Sequence, residues 1–134
     1  MKGLWHLNNN TIDYSPEGNI GEQLFGVNCS TNVNGRFGYA CDFDGVNDMI
    51  NITNEADYDF ERNHRFSACA WVKPDTVAPT VQEIVSKLTP NSPYPGWDFV
   101  LYDNIGSSDG IGVEIINTFT TSDISVFWDN AITA

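Results

Sequence analysis

The sequence predicts an all-β protein folded as a two-sheet antiparallel sandwich. Three observations lead there. Short apolar runs recur along the 134 residues, each broken by clusters of Gly, Asn, Asp and Pro. Helical periodicity does not persist over any useful window. The apolar runs alternate in the two-residue period of a pleated strand, which places successive side chains on opposite faces.

Taken in order, strands are expected at Leu4–Leu7, Tyr39–Phe43, Met49–Ile52, Phe66–Lys73, Glu83–Lys87, Trp97–Tyr102, Gly112–Asn117 and Ile124–Trp128. In Phe66–Lys73, one face carries Phe66, Ala68, Ala70 and Val72, and the other carries Ser67, Cys69, Trp71 and Lys73. Both faces are largely apolar, so this segment reads as a central strand covered on both sides. Glu55–Arg62 is long enough for one helical turn, with Asn54 placed to cap it. Residues 88–96 hold three prolines and a glycine and read as a loop within one domain spanning 1–134. No internal repeat is present.

Composition narrows the function. Eighteen acidic against six basic residues give a net charge of −12. Phosphate binding needs clustered Lys and Arg, so nucleic acid is excluded as a partner. An anionic membrane surface is disfavoured on the same ground. No stretch has the length and apolarity to insert into a membrane. No apolar run follows Lys2, so the reading here is a chain without a secretory signal. The cysteines are Cys29, Cys41 and Cys69, an odd count. The favoured reading is reduced, buried thiols acting as small hydrophobes, with a Cys41–Cys69 bridge open if their strands are neighbours. No Cys/His spacing suggests zinc.

Catalysis is not expected. Glu114-Ile115-Ile116-Asn117 lacks a second carboxylate two residues along the strand, where a glycosidase pair on one strand would need it. His6 and His64 have no Ser or Cys nucleophile context.

Several segments resemble a known family. Leu4-Trp5-His6-Leu7, followed by Asp13-Tyr14-Ser15 and Gly18-Asn19, is similar to the opening of a laminin-G-like, concanavalin A-like jelly-roll domain. Gly35-Arg36-Phe37-Gly38-Tyr39-Ala40-Cys41-Asp42-Phe43-Asp44-Gly45-Val46-Asn47-Asp48 resembles its central signature, including the F-D-G-x-x-D hairpin. Phe66–Pro74, Ile84–Lys87 and Gly96–Tyr102 resemble the next elements in the family's order. The resemblance implies a jelly-roll sandwich, and implies that the chain is the front part of a longer domain or that a partner chain completes it. The family's later strands have no counterpart after Asp129–Ala134. It also implies Phe43 in the core, Gly45 in a turn and Met49–Ile52 as the returning strand.

For function, the resemblance implies a non-catalytic recognition or adhesion module of a larger extracellular or virion surface protein, with glycans as the leading ligand. One alternative is a structural decoration or fibre domain of a phage virion, contacting neighbouring protein subunits. Another is an accessory domain of a secreted glycosidase. Calcium is the one candidate cofactor, with Asp13, Asp44 and Asp48 as loop oxygens suited to a hard cation. Asp-Gly and Asn-Asp are also ordinary turn formers, so a purely conformational role stands beside that one. For a glycan, Tyr94 in the Pro-rich loop and Trp128 are the candidate stacking rings, while Trp71 and Trp97 read as core.

Overall fold

A computed structural model describes residues 1–30, 32–60, 63–75, 81–91, 94–104, 108–116 and 124–129. Within them the protein is all-β, apart from one short 3-10 turn. The strands are β1 (Gly21–Leu24), β2 (Met49–Ile52), β3 (Gln82–Leu88), β4 (Gly96–Asn104), β5 (Ser108–Ile116) and β6 (Ile124–Asp129). They form two antiparallel sheets, β1-β2 and β3-β4-β5-β6. The chain divides into two compact units, Met1–Tyr58 and Asp59–Ala134.

The first unit contains little regular ladder. Its strands are four residues each, and the rest is loop tied by local hydrogen bonds. Two expected strands are reduced here to isolated bridges: Trp5 pairs with Asp13, Asn34 with Tyr39, and Asn28 with Asp42. β1 was not anticipated, because Gly-Glu-Gln-Leu has little strand propensity. Its ladder with β2 supplies the order instead, with Gly21 opposite Ile52 and Leu24 opposite Met49. A Cβ at Gly21 would sit 2.5 Å from the Ile50 side chain, so only glycine allows that approach. The helical turn is the 3-10 segment Glu55–Tyr58, closed by the Asp57 N–H on the Asn54 carbonyl. Arg62, expected in the same turn, lies outside the described residues.

The cysteine reading needs correction. Cys29 and Cys41 form a disulfide, with their Cα atoms 4.0 Å apart. The adjacent Asn28–Asp42 bridge exchanges N–H···O bonds of 3.0 and 2.9 Å and brings the two chain segments side by side. Cys69 is a free thiol and exposed, so it is neither buried nor bonded to Cys41.

The second unit is a four-stranded meander. β3, β4, β5 and β6 confirm the strands expected at Glu83–Lys87, Trp97–Tyr102, Gly112–Asn117 and Ile124–Trp128 to within a few residues, with Asn117 itself undescribed. A register shift between Glu83 and Val85 marks a bulge in β3. The register then sorts the side chains. One face carries Val85, Trp97, Phe99, Leu101, Ile111, Val113, Ile115, Ile124, Val126 and Trp128, and is apolar apart from Lys87 and Gln82 on the β3 edge. Phe60 and Phe66 pack on Trp97 there, with ring centroids 5.8 and 5.3 Å away. Trp97, Val100 and Leu101 are the buried apolar residues of this sheet.

The central strand expected at Phe66–Lys73 does not form. Among the described residues the segment joins no ladder, and all of it except Phe66 is exposed. Trp71, expected in the core, is 75% exposed. Phe43 is 46% exposed and so is not the core residue the resemblance implied. A strand is a pairwise structure. Alternation and β-branched content mark a segment able to pair, and a neighbouring ladder decides whether it does.

Candidate functional site

The polar face of the four-stranded sheet holds the most chemically distinctive arrangement. One rung runs Ser86, Asp98, Glu114, Ser125 across β3 to β6, each opposite the next. Residues directly opposite in an antiparallel pair have Cβ atoms about 4.5–5.5 Å apart, so this is a continuous strip of oxygen donors and acceptors. Glu83 joins it from β3, where it accepts a 2.7 Å hydrogen bond from the Ser86 hydroxyl. At the other end Ser125 donates to Glu114 Oε1 at 3.0 Å.

Asp98 sits at the centre, 5% exposed, and its Oδ1 is buried with no hydrogen-bond partner. Burial pushes its carboxyl up, the Glu114 and Glu83 charges push in the same direction, and together they outweigh a hydrogen bond from the Glu114 N–H, so the pKa rises to about 6. An ionised oxygen kept from water without a donor is costly. The strip therefore favours whatever brings hydrogen-bond donors or positive charge.

Aromatic rings lie beside this strip on the same face. Tyr102 and Phe127 meet edge to face with centroids 4.9 Å apart. Glycine makes the room for them. A Cβ on Gly112 would fall 2.5 Å from the Phe127 ring, and one on Gly110 would fall 2.5 Å from the Tyr102 ring. The two glycines are spaced by two on β5, so both open the same face. Phe127 stays 47% exposed, leaving ring surface available to a ligand.

The residues singled out from sequence are dispersed. Tyr94 is 50% exposed, as expected for a loop ring. It has a positive φ of 56°, and its N–H donates to the Asn91 carbonyl at 2.8 Å. Trp128 is 56% exposed, but it lies in register with Ile111 on the apolar face, opposite in sense to Phe127. Phe66, Trp97, Phe99, Val113 and Ile115 also line a cavity of 480 Å³, together with His64, Arg65 and Asp98.

The calcium candidates are engaged in other work. Asp13 Oδ1 accepts from the N–H groups of Leu4 (2.9 Å) and Ser15 (2.7 Å). Its Oδ2 accepts from the Ser15 hydroxyl and the Asn19 N–H, both at 2.8 Å. Burial pushes the Asp13 carboxyl up, but the bonds from Ser15, Leu4 and Asn19 outweigh it and hold the pKa at about 2. Asp44 Oδ1 accepts from the N–H groups of Val46, Asn47 and Asp48, while its own N–H donates to Asp48 Oδ2 at 2.9 Å. The Val46 N–H is the largest influence on the Asp44 carboxyl and, despite some burial, holds it below the usual carboxylate range. Gly45, with φ of 72°, takes the left-handed position of this turn, and Met49–Ile52 returns as β2. Among the described residues no three His, Cys, Asp or Glu side chains form a group able to hold a metal ion, so Asp13, Asp44 and Asp48 are not gathered into one.

Asp98, Glu114, Tyr102 and Phe127 were not singled out from sequence as ligand residues. Two signals marked them: an aspartate inside the apolar run Trp97–Tyr102, and the Gly110-Ile111-Gly112 spacing inside a strand. No helix among the described residues is long and apolar enough to cross a membrane. No family model, curated protein or solved structure matches the chain.

Proposed function

We propose that this chain is a non-catalytic recognition or adhesion module of jelly-roll type, part of a larger extracellular or virion surface protein, and that it binds glycans on the polar face of its four-stranded sheet. One observation carries the reading: the Tyr102–Phe127 ring pair stands on the same face as the Ser86–Asp98–Glu114–Ser125 rung. A sugar presents apolar C–H faces and a rim of hydroxyls. Rings take the first, and a few placed carboxylates and hydroxyls take the second.

A glycan array, run with and without calcium, tests this. Binding that disappears in Phe127→Ala, with the far-UV spectrum unchanged, supports it. A blank array under both conditions rejects it. One carboxyl held towards its protonated form beside a second carboxylate is also what a general acid requires. Release of reducing ends during incubation would therefore overturn the non-catalytic part.

A second reading, contact with neighbouring protein subunits as in a virion fibre, draws on β6. Among the described residues this strand pairs on one side only, and Ile124, Val126, Phe127 and Trp128 are each more than 40% exposed. An edge with open backbone groups and apolar side chains on both faces suits strand addition by another chain. A charged residue at Val126 should then abolish assembly with that subunit and leave glycan binding intact.

A further inference from the structure

The oxygen strip on the four-stranded sheet also limits the kind of glycan. Resting on the glycan reading above, we propose that the preferred ligand carries free amino groups, as an oligomer of glucosamine does, and that its ammonium groups sit over Glu83 and Glu114 with Asp98 between them.

The charges that push the Asp98 carboxyl up are those of Glu114 and Glu83, both negative, while His64 and Arg65 line a cavity together with Asp98. Asp98 is 5% exposed, and although its carboxyl accepts from the Glu114 N–H, its Oδ1 has no donor, so the centre of the cluster still has room for one. The two serines at its ends already spend hydroxyl protons on Glu83 and Glu114. A neutral sugar adds hydroxyl donors one at a time and leaves the three like charges facing one another. An acidic sugar adds a fourth. An ammonium group brings three donors and a positive charge together, and its hydrogen bonds to carboxylates are roughly twice as strong as neutral ones. Glu83 is exposed and Glu114 half-buried, so both are reachable from solvent, while Asp98 acts from beneath. The Tyr102 and Phe127 rings, further along the same face, take the apolar side of the sugar whichever nitrogen substituent it carries. The whole-chain charge of −12 favours approach of the same ligand.

Isothermal titration of the full chain with a glucosamine hexamer and with its fully N-acetylated counterpart tests the proposal. The two differ only in the amine. Expected is binding of the glucosamine form about tenfold or more tighter than the acetylated one, a gap of one charge-assisted contact or more. Glu114→Gln and Asp98→Asn should each narrow that preference, and Phe127→Ala should weaken both ligands. Glu114→Gln keeps the test open if Asp98→Asn fails to fold. Equal affinities, or tighter binding of the acetylated hexamer, overturn the amine preference and leave the glycan reading standing. Absence of binding by any glycan overturns both. Oligolysine binding as tightly as the glucosamine hexamer, unaffected by Phe127→Ala, shows attraction by charge alone and also overturns the proposal.

Discussion

The two units of this chain are held together by different means. Among its described residues Met1–Tyr58 has eight in strands, and its order comes from side chains that answer backbone groups. Asp13 accepts four hydrogen bonds, and the fully buried Asn19 uses its amide on Asp57 and Tyr58 and its carbonyl oxygen on Asn54. Asp59–Ala134 relies on long ladders, with nine register pairs between β4 and β5 alone. A polar network concentrates stability in a few atoms, whereas a ladder spreads it over many equivalent bonds. Single substitutions should therefore be severe and local in the first unit and graded in the second.

The largest effect is expected from Asp13→Ala, which strands four donors at once. A loss of about 3–4 kcal/mol in a urea titration is the expected outcome. In hydrogen exchange the amides of Leu4, Ser15 and Asn19 should lose protection while those of β4 and β5 keep theirs. Equal loss in both units would break the comparison. Replacing Cys29 and Cys41 together by Ser should cost about 3 kcal/mol, the loop-closure entropy of a bridge of this span, again confined to the first unit.

The pH dependence of the second unit should run opposite to that of the first. Asp13 has a folded pKa of about 2, below the ordinary aspartate value of 3.8, so it stabilises at neutral pH, and that contribution is lost as pH falls through about 2. Asp98 has a folded pKa of about 6, above 3.8. The folded state then binds more protons than the unfolded state between those values. Its contribution is fully present below 3.8 and is lost as pH rises through about 6. Asp98→Asn should flatten the difference in melting temperature between pH 4 and pH 7, which a thermal titration of wild type beside the variant would show. The smallest effect on stability is expected from Gly112→Ala. Its methyl group must displace the half-exposed Phe127 ring, which is free to swing outward, and press on the Val100 side chain 3.1 Å away, and it should reduce glycan binding severalfold, read by titration calorimetry.

Much of the second unit was legible because its signals are local. Trp97–Tyr102 and Ile124–Trp128 alternate and carry aromatic and β-branched residues, and each is a strand. Phe66–Lys73 carries the same signal and is not one, since the alternation that reports ability to pair is silent about a partner. In the first unit, Gly45 was legible as a turn residue because a left-handed position selects glycine whatever surrounds it. The Asp13 hub was not, because its donors come from Leu4, Ser15 and Asn19, on three different parts of the chain. The candidate site divides in the same way. A loop tyrosine and an exposed tryptophan can be picked out singly, but a rung of four residues from four strands exists only once the register is set.

Sequence by itself therefore determined the all-β class, the acidity, most strand positions and the Gly45 turn, since each depends on composition or on neighbours a few residues away. Tertiary structure decided which cysteines join, which apolar runs stay outside the sheets, and that Asp98 stands beside Glu114 and near the Tyr102–Phe127 pair. These facts depend on contacts between distant parts of the chain. Shifting a strand by one residue would send Asp98 to the apolar face and disperse the rung, so its existence rests on register.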